Sequence, residues 1–209
     1  QTGSGTQTNM NMNEVIANIG NRKAGSELGA KSPLHPNDHI NLSQSSNDVF
    51  PTAMHVATRS ALIENLLPAL KELQTELELK AKAFSTLVKV GRTHMMDATP
   101  ISLGQEFEAF AAQLQFAIDQ IAQSLVGLQY LAIGGTAVGT GFNSHPLWSE
   151  SMAAELSNLS GQDYYSAKNH SSQMASHDAL LSAHAQVNNL ATALFKMAND
   201  LRLMNSGPR

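Results

Sequence analysis

Three long segments of the chain carry apolar residues at alternating spacings of three and four. This period places an apolar stripe along one face of a helix, so each segment is predicted to form a long amphipathic helix. The predicted helices run from Pro51 to about Phe84, from about Ser102 to Ala132 and from about Ser176 to Asn205. Stripes of this kind pack helices nearly parallel to one another. We therefore predict an all-α fold built on a long-helix bundle.

Two prolines shape the first of these helices. Pro51 suits a first helical turn, where its missing N–H costs nothing, and Asn47 or Asp48 can cap the helix there. Pro68 falls inside the apolar stripe and removes one backbone hydrogen bond, which predicts a kink.

Shorter elements are predicted elsewhere. We expect a modest helix around residues 11–23, another over residues 149–159, and a polar connection over residues 162–173. No strand pattern of any length is visible. The chain is therefore divided into residues 1–48, the loop-rich end of an N-terminal domain, and residues 49–209, an incomplete central helical bundle.

The three long helices exceed what a compact domain of this size requires. About thirty residues at ~1.5 Å each give a helix of roughly 45 Å. Small residues, which let helices approach closely, are frequent along two of them: Ala109, Ala111, Ala112, Ala191, Ala193 and Ala198. Homo-oligomerisation through the bundle is the resulting hypothesis.

Composition narrows the classes of partner. The 209 residues have a formal charge of −4, which argues against broad electrostatic attraction to nucleic acid or an anionic membrane. The sequence contains no cysteine, and this favours a reducing compartment, with the cytoplasm as the expected location. Both ends look like cuts within a longer protein, so a mitochondrial location stays open.

Two polar clusters stand where helices are predicted to begin. Residues 3–9 form a small-residue loop that could wrap donors around a carboxylate, although a turn with a helix N-cap needs the same residue types. Residues 43–48 offer more hydroxyl and amide donors than the single residue that a cap requires. This surplus at the positive end of a helix indicates anion binding.

Two further clusters contain histidine. Residues 35–39 hold two histidines and an aspartate with no other ligand cluster nearby, which predicts a polar turn rather than a metal site. In the loop predicted over residues 91–100, His94 is suited to proton transfer and Thr93 can donate to an oxyanion, although a lone loop histidine can equally be inert. The glycine-rich residues 134–141 follow a helix, which predicts a tight corner and not a phosphate loop.

Taken in order, these clusters resemble the class II fumarases of the fumarase/aspartase superfamily, over essentially the whole chain. The motifs that carry the resemblance are Thr2-Gly3-Ser4-Gly5-Thr6 with Asn9 and Asn11, His35-Pro36-Asn37-Asp38, Ser43-Gln44-Ser45-Ser46-Asn47-Asp48 leading to Pro51-Thr52-Ala53-Met54-His55, Gly91-Arg92-Thr93-His94 with Asp97-Ala98-Thr99-Pro100, Leu103-Gly104-Gln105-Glu106, residues 134–141, and Ser206-Gly207-Pro208-Arg209. One local departure is Met95-Met96, where the family more often has Leu-Gln.

The resemblance implies a fumarate hydratase, a hydro-lyase that adds water reversibly to fumarate to give (S)-malate in the tricarboxylic acid cycle, without a metal or other cofactor. It also implies a homotetramer whose active sites are shared between subunits, with Thr93 and the catalytic His94 arriving from a neighbouring chain. The residues expected to bind the substrate are Ser4, Thr6, Ser45, Ser46, Asn47 and Thr93. The residues expected at a second dicarboxylate site are His35, Asn37 and Asp38.

The implied chemistry removes a proton from C3 of malate and places the charge on the neighbouring carboxylate, which Ser, Thr and Asn donors stabilise. In the family, the catalytic serine lies in a later Gly-Ser-Ser-x-Met-Pro-x-Lys-x-Asn-Pro loop, and no such loop occurs in these 209 residues. The chain by itself is therefore expected to be inactive.

Two other functions compete with this one. An aspartate ammonia-lyase of the same superfamily would share the fold, but such enzymes tend to carry Gln where His94 stands and Asn where His35 stands. A catalytically silent helical assembly module would keep the loops only as dicarboxylate sites or helix caps.

Overall fold

The computed structural model describes residues 5–206, and in that range the protein is mainly helical. Its α-helices are α1 (Thr6–Lys23), α2 (Ser46–Ala61), α3 (Leu67–Ala83), α4 (Leu103–Ser124), α5 (Trp148–Ser160), α6 (His170–Ala175) and α7 (Asp178–Met204). Strands β1 (Val88–Thr93) and β2 (Met96–Ser102) pair antiparallel, while the short strands β3 (Tyr130–Leu131) and β4 (Tyr165–Ser166) pair in parallel. The predicted helical fold class is confirmed, and the prediction that strands are absent is wrong.

The described chain forms two compact units. The first contains residues 5–58 and 127–180, and the second contains residues 59–126 and 181–206. Each unit is therefore assembled from two separate stretches of sequence. The predicted division at residue 48 concerns the complete protein and stays a prediction.

In the second unit, the predicted apolar stripes form the core. The side chains of α4 that are almost fully buried are Phe110, Ala111, Leu114, Ala117, Ile118 and Ile121. Leu70 and Leu77 of α3 are also buried, as are Ala183, Leu190 and Met197 of α7, which recur every seven residues. An edge-to-face contact of 5.4 Å between the rings of Phe84 and Phe107 covers one end of the α3–α4 pair.

The first long helix begins earlier than predicted. It starts at Ser46 rather than Pro51, because Ser45 and Asp48 already cap the turn before the proline. Pro51 lies within α2, where only the carbonyl of Asn47 loses its helical partner. The predicted irregularity at Pro68 takes the form of a π-helical turn over Leu62–Leu66, which joins α2 to α3 just before that proline.

The second long helix ends earlier than predicted, at Ser124 rather than Ala132. A 3₁₀ turn over Gly127–Gln129 and strand β3 follow, because β3 pairs with β4 and its Leu131 side chain enters the core of the first unit. In that core, Leu131, Ile133 and Tyr164 are buried together. The apolar spacing therefore continued past the point where the backbone changes from helix to strand.

Two predicted loops also contain regular structure. The connection predicted over residues 162–173 includes β4 and the start of α6. The loop predicted over residues 91–100 is largely the β1–β2 hairpin, in which β-branched residues such as Val88, Val90 and Ile101 are frequent. The short helix predicted over residues 149–159 is confirmed as α5.

Candidate active site

Helix α2 begins with a reciprocal cap. The Ser45 hydroxyl oxygen accepts from the backbone N–H of Asn47 at 3.2 Å, and the Asp48 carboxylate accepts from the backbone N–H of Ser45 at 2.9 Å. This arrangement follows the capping-box pattern, with an aspartate three residues after the N-cap serine. The capping function that the sequence left open is therefore present at this cluster.

The cap does not exhaust the donors of the cluster. Ser45 and Ser46 each use a hydroxyl oxygen as an acceptor, Ser46 from the Asn9 amide at 2.9 Å, and each keeps its own O–H as a donor. The Asn47 amide donates one N–H to the carbonyl of Ala137 at 2.9 Å, and its second N–H remains. Each side chain is thus held by one bond in a way that leaves a donor for an anion.

Helix α1 is attached to the same cluster through asparagines. Asn9 and Asn13 are buried, and their amides both donate to the Asn41 side-chain oxygen, at 3.3 and 3.0 Å. Thr6 opens α1 one turn before Asn9 and is exposed. Of the predicted substrate-binding residues, Ser4 lies outside the described range.

Gly5 allows α1 to begin where it does. Its φ of +81° lies in the left-handed region, and a Cβ at this position would come within 2.2 Å of the Phe50 ring in α2. Only glycine satisfies both conditions. Of the loop predicted over residues 3–9, residues 6–9 belong to α1, which therefore begins earlier than the predicted residue 11. Gly5 is the position where the starts of α1 and α2 approach closely.

The glycine-rich residues 134–141 form the predicted tight corner. Gly134, Thr136, Gly139 and Gly141 all have positive φ values. The backbone N–H groups of Gly134 and Thr136 donate to one oxygen of Asp48 at 3.0 and 2.8 Å. The corner is thereby attached to the start of α2, although some 86 residues separate them in sequence.

A buried polar network supports this corner from the other side. The Ser149 hydroxyl donates to the carbonyl of Ile133 at 2.7 Å and lies 2.9 Å from Nε2 of His170. Ser166 lies 2.6 Å from the same hydroxyl. The sequence pattern gives no sign of this contact, because β4 and α6 are what bring His170 onto Ser149.

Asp48 is the carboxylate at the centre of the cluster. Its side chain is fully buried, and this burial raises its pKa above the ordinary value, while the backbone N–H groups of Ser45, Thr136 and Gly134 oppose the rise. Sequence reasoning treated Asp48 as a cap and missed its link to the corner. A carboxylate three residues after a cap serine gives no sign of a partner so distant in sequence.

The predicted second dicarboxylate site is a short π-helical turn over Pro36–Ile40. Nδ1 of His35 accepts from the Asp38 N–H at 3.2 Å and lies 3.1 Å from the Asp38 carboxylate. A cavity of about 720 Å³, within the usual range for ligand sites of about 300–1,000 Å³, is lined by Asn37, Asp38, Ser45 and Thr136. Two of the three predicted second-site residues therefore share a cavity with Ser45.

Ser46 and Asn47 line a neighbouring cavity. This cavity measures about 610 Å³ and also includes Phe50, Ala137 and His177. The start of α2 therefore lines two cavities, one through Ser45 and the other through Ser46 and Asn47.

His94 lies at the tip of the β1–β2 hairpin. Thr93 pairs with Met96, so His94 and Met95 form the two-residue loop, and both have positive φ values of 53° and 62°. Two-residue hairpin loops favour this backbone, but usually with Asn or Gly, and a non-glycine residue in it costs about 1–3 kcal/mol. Thr93 and His94 belong to a different compact unit from Ser45.

Gly91 gives the hairpin its bend. A Cβ here would lie 2.6 Å from the carbonyl oxygen of Thr99, and the strand register shifts between Val90 and Arg92 at this point. The bulge increases the local twist of the hairpin that carries His94.

His55 is a buried histidine of α2. Burial lowers its pKa below the ordinary value, and the nearby His177 acts in the same direction, while the backbone of Tyr130 and Leu128 opposes them. His55 Nδ1 is buried without a hydrogen-bond partner in the range that the structure describes. The neutral imidazole is therefore the favoured form.

Residues 5–206 lack two features that would indicate a metal or a membrane as a partner. No three His, Asp or Glu side chains are grouped there in a way that could hold a metal ion. Within the same range, no helix combines the length and the apolar character that crossing a bilayer requires.

Comparison with known proteins places these features in a family. A family model described as Lyase matches residues 1–209. A class II fumarate hydratase of Methylorubrum extorquens is 55% identical over 209 residues, and one of Bradyrhizobium diazoefficiens is 53% identical. The chain covers 44% of the length of each, so it spans less than half of these relatives.

A solved structure agrees with these relatives. The crystal structure of a recombinant class II fumarase from Schistosoma mansoni matches with a TM-score of 0.96 and 41% identity, over 100% of this chain and 47% of that one. The resemblance drawn from the motifs is therefore confirmed. Because the family model matches all 209 residues, this chain belongs to the lyase family.

Proposed function

We propose that the complete protein containing this chain is a class II fumarate hydratase, which interconverts fumarate and (S)-malate without a cofactor. The observation that carries the proposal is the start of α2, where Ser45, Ser46 and Asn47 are each fixed by one hydrogen bond and keep a donor. Donors fixed before the substrate arrives need little rearrangement when negative charge develops. The similarity to class II fumarate hydratases supports the same reaction.

The substrate carboxylates bind at the starts of α1 and α2. The residues assigned to this binding are Ser4, Thr6, Ser45, Ser46 and Asn47. When the proton leaves C3 of malate, the adjacent carboxylate takes up the charge as an aci-carboxylate, and these hydroxyl and amide donors stabilise it. The positive end of the α2 dipole acts in the same direction.

His94 protonates the hydroxyl group of malate, so that this group leaves as water, and Thr93 donates a hydrogen bond to the substrate. His94 has a left-handed backbone at the hairpin tip and is exposed. The base that removes the C3 proton is assigned to the family's later serine loop, which these 209 residues do not contain.

The turn containing His35, Asn37 and Asp38 forms a second dicarboxylate site. The cavity that Asn37 and Asp38 share with Ser45 supports this assignment. Amide donors and the His35 imidazole are suitable groups for a carboxylate, whereas the Asp38 carboxylate would repel one unless a proton or a water lies between them.

The complete protein acts as a homotetramer with active sites shared between subunits. Large apolar side chains remain exposed on the bundle helices of the second unit, with Phe116 at 64% and Phe195 at 72% exposure. Surfaces of this kind on long helices are typical of subunit contacts. Light scattering of the complete protein should give the mass of a tetramer, and a monodisperse monomer would contradict the assignment.

The activity is tested on the complete protein with malate and with aspartate as alternative substrates. Formation of fumarate from malate but not from aspartate is expected. Turnover of aspartate instead would identify an ammonia-lyase, and inactivity with both substrates would favour a silent assembly module.

The substrate assignments are tested with succinate as an inhibitor. Ser45→Ala and Asn47→Ala should each weaken succinate binding by about 1–3 kcal/mol, because each removes a hydrogen bond to a charged group. Ser157→Ala is the matched control, since its hydroxyl bonds to the Ala153 carbonyl and the Tyr164 N–H in the same unit but not at the start of α2. Equal succinate affinities in all three variants would indicate that Ser45 and Asn47 only cap the helix.

A further inference from the structure

We infer that Asp48 is a positioning residue, which holds the substrate-binding turn Ser45–Asn47 in a fixed place against the glycine-rich corner at Gly134–Ala137. The inference rests on the proposed function, because it assumes that the donors of this turn contact the substrate. Asp48 itself acts through its neighbours.

The geometry divides the two oxygens of Asp48 between two segments. Oδ1 accepts from the backbone N–H of Ser45 at 2.9 Å. Oδ2 accepts from the backbone N–H groups of Gly134 and Thr136 at 3.0 and 2.8 Å. One buried side chain therefore fixes the turn and the corner at the same time.

A helix cap alone does not require this arrangement. Capping uses one carboxylate oxygen and commonly leaves the other in solvent. Asp48 has no exposed surface, and its second oxygen is directed at two N–H groups of a corner with positive φ at Gly134 and Thr136. Closely spaced N–H groups in such a backbone form a concave site for an anionic oxygen.

A second contact runs parallel to the first. The Asn47 amide donates to the carbonyl of Ala137 at 2.9 Å, which joins the next residue of the turn to the next residue of the corner. The orientation of Asn47, and of the hydroxyl groups beside it, therefore depends on where the corner lies. A carboxylate is the side chain that can accept from backbone donors on both sides, because an amide at this position would place its NH₂ group against one set of N–H donors.

The test compares Asp48→Asn with Thr52→Val in the complete protein. Thr52 is buried one turn along α2 and donates to the backbone carbonyl of Asp48, so the control loses a buried hydrogen bond without altering the turn or the corner. Asp48→Asn should raise the succinate dissociation constant about tenfold, the size expected for losing a charge-assisted contact. Thr52→Val should leave this constant unchanged at a comparable loss of thermal stability.

A double-mutant cycle separates positioning from general destabilisation. In a Ser45→Ala background, Asp48→Asn should weaken succinate binding by less than about threefold, because Ser45, the donor that Asp48 contacts directly, is already absent. An equal factor in both backgrounds would overturn the proposal. Unchanged succinate affinity in a folded Asp48→Asn protein would also overturn it.

Two controls keep the result interpretable. Amide hydrogen exchange at Gly134 and Thr136 should be faster in Asp48→Asn than in Thr52→Val, a result that does not depend on the reaction. Absence of both fumarate hydration and succinate binding in the unsubstituted protein would refute the proposed function and this inference with it. A loss of succinate affinity that occurs only in the Asp48 variants would instead be attributed to Asp48.

Should Asp48→Asn not fold, Asp48→Ser takes its place, and failure of both to fold would make Asp48 a structural residue only and overturn the proposal.

Discussion

The side-chain amide of Asn9 donates to the hydroxyl oxygen of Ser46 at 2.9 Å, across 37 residues of sequence. Asn9 is buried one turn into α1, and Ser46 is the first residue of α2. The contact joins the starts of two helices that both carry predicted substrate-binding residues. It also orients the Ser46 hydroxyl, because an oxygen that accepts from Asn9 has its own proton left to donate.

Replacing Asn9 should therefore affect both stability and substrate binding. In Asn9→Ala, Asn41 and Ser46 lose a buried partner, and a cost of about 1–3 kcal/mol in unfolding free energy is expected. The KM for malate should rise as well, because Ser46 is no longer oriented. Asn18→Ala is the matched control on the same helix, since its side chain bonds to Glu14 and Gly29 away from the cluster. A change in KM as large in the control as in Asn9→Ala would contradict this account.

The apolar pattern predicted a helix best where the apolar stripe begins and ends within that one helix. The seven-residue recurrence of Ala183, Leu190 and Met197 gave α7 to within two residues at each end. It failed beyond Ser124, because Leu128 and Leu131 are as buried in a turn and a strand as they would be in a helix. The burial of a residue alone therefore does not indicate whether its backbone is helix, turn or strand.

The β1–β2 hairpin was not predicted, for a different reason. Its strands are largely exposed and mix polar residues with β-branched ones, so neither strict alternation nor an apolar run marks them. The tip has His94 and Met95 where a two-residue hairpin loop usually has Asn and Gly. The candidate site residues were predicted from residue types and from the family resemblance, whereas the contacts of Asp48 and Asn9 became visible only in the fold.

The hairpin tip predicts a stabilising substitution. Met95 is 83% exposed and has a φ of 62°, so Met95→Gly removes backbone strain at little loss of buried surface. The midpoint of thermal unfolding should rise, by an amount that corresponds to about 1 kcal/mol. Met96→Gly, one residue further, should instead lower the midpoint, because Met96 begins strand β2 and its φ is not positive. Equal effects of the two substitutions would exclude strain as the cause.

His94→Asn tests the role of the histidine without disturbing the loop. Asn adopts the left-handed backbone readily, so the hairpin should keep its shape. Turnover of the complete enzyme should fall by about 10²-fold or more, the usual contribution of a general acid or base, while succinate binding changes little. Unchanged turnover would remove His94 from the mechanism.

His55 predicts a dependence of stability on pH. Its folded pKa is lowered by burial, so the unfolded state takes up a proton first, and stability is lost as the pH falls below about 6.5. One such group contributes up to about 1.4 kcal/mol per pH unit until the folded pKa is reached. Thermal unfolding of the complete protein between pH 8 and 5 should therefore show a shallower decline in His55→Gln. Parallel curves for the two proteins would contradict the assignment.

The 209-residue chain alone should hydrate no fumarate. The residues proposed for the reaction within it are hydroxyl and amide donors and the exposed His94, and neither type of group is a strong base for a C3 proton. Asp48, the carboxylate at the centre of the cluster, has both oxygens engaged by backbone N–H groups and no exposed surface, so it cannot reach a substrate carbon. In the proposed function these donors bind and polarise a dicarboxylate, but stabilising the charge without removing the proton leaves the hardest step uncatalysed. The measurement is the ultraviolet absorbance of fumarate formed from malate by the purified chain, with the His94→Asn chain as the control for contaminating host enzyme. Sustained turnover that His94→Asn abolishes would locate the base within these residues and refute the division of the chemistry proposed above.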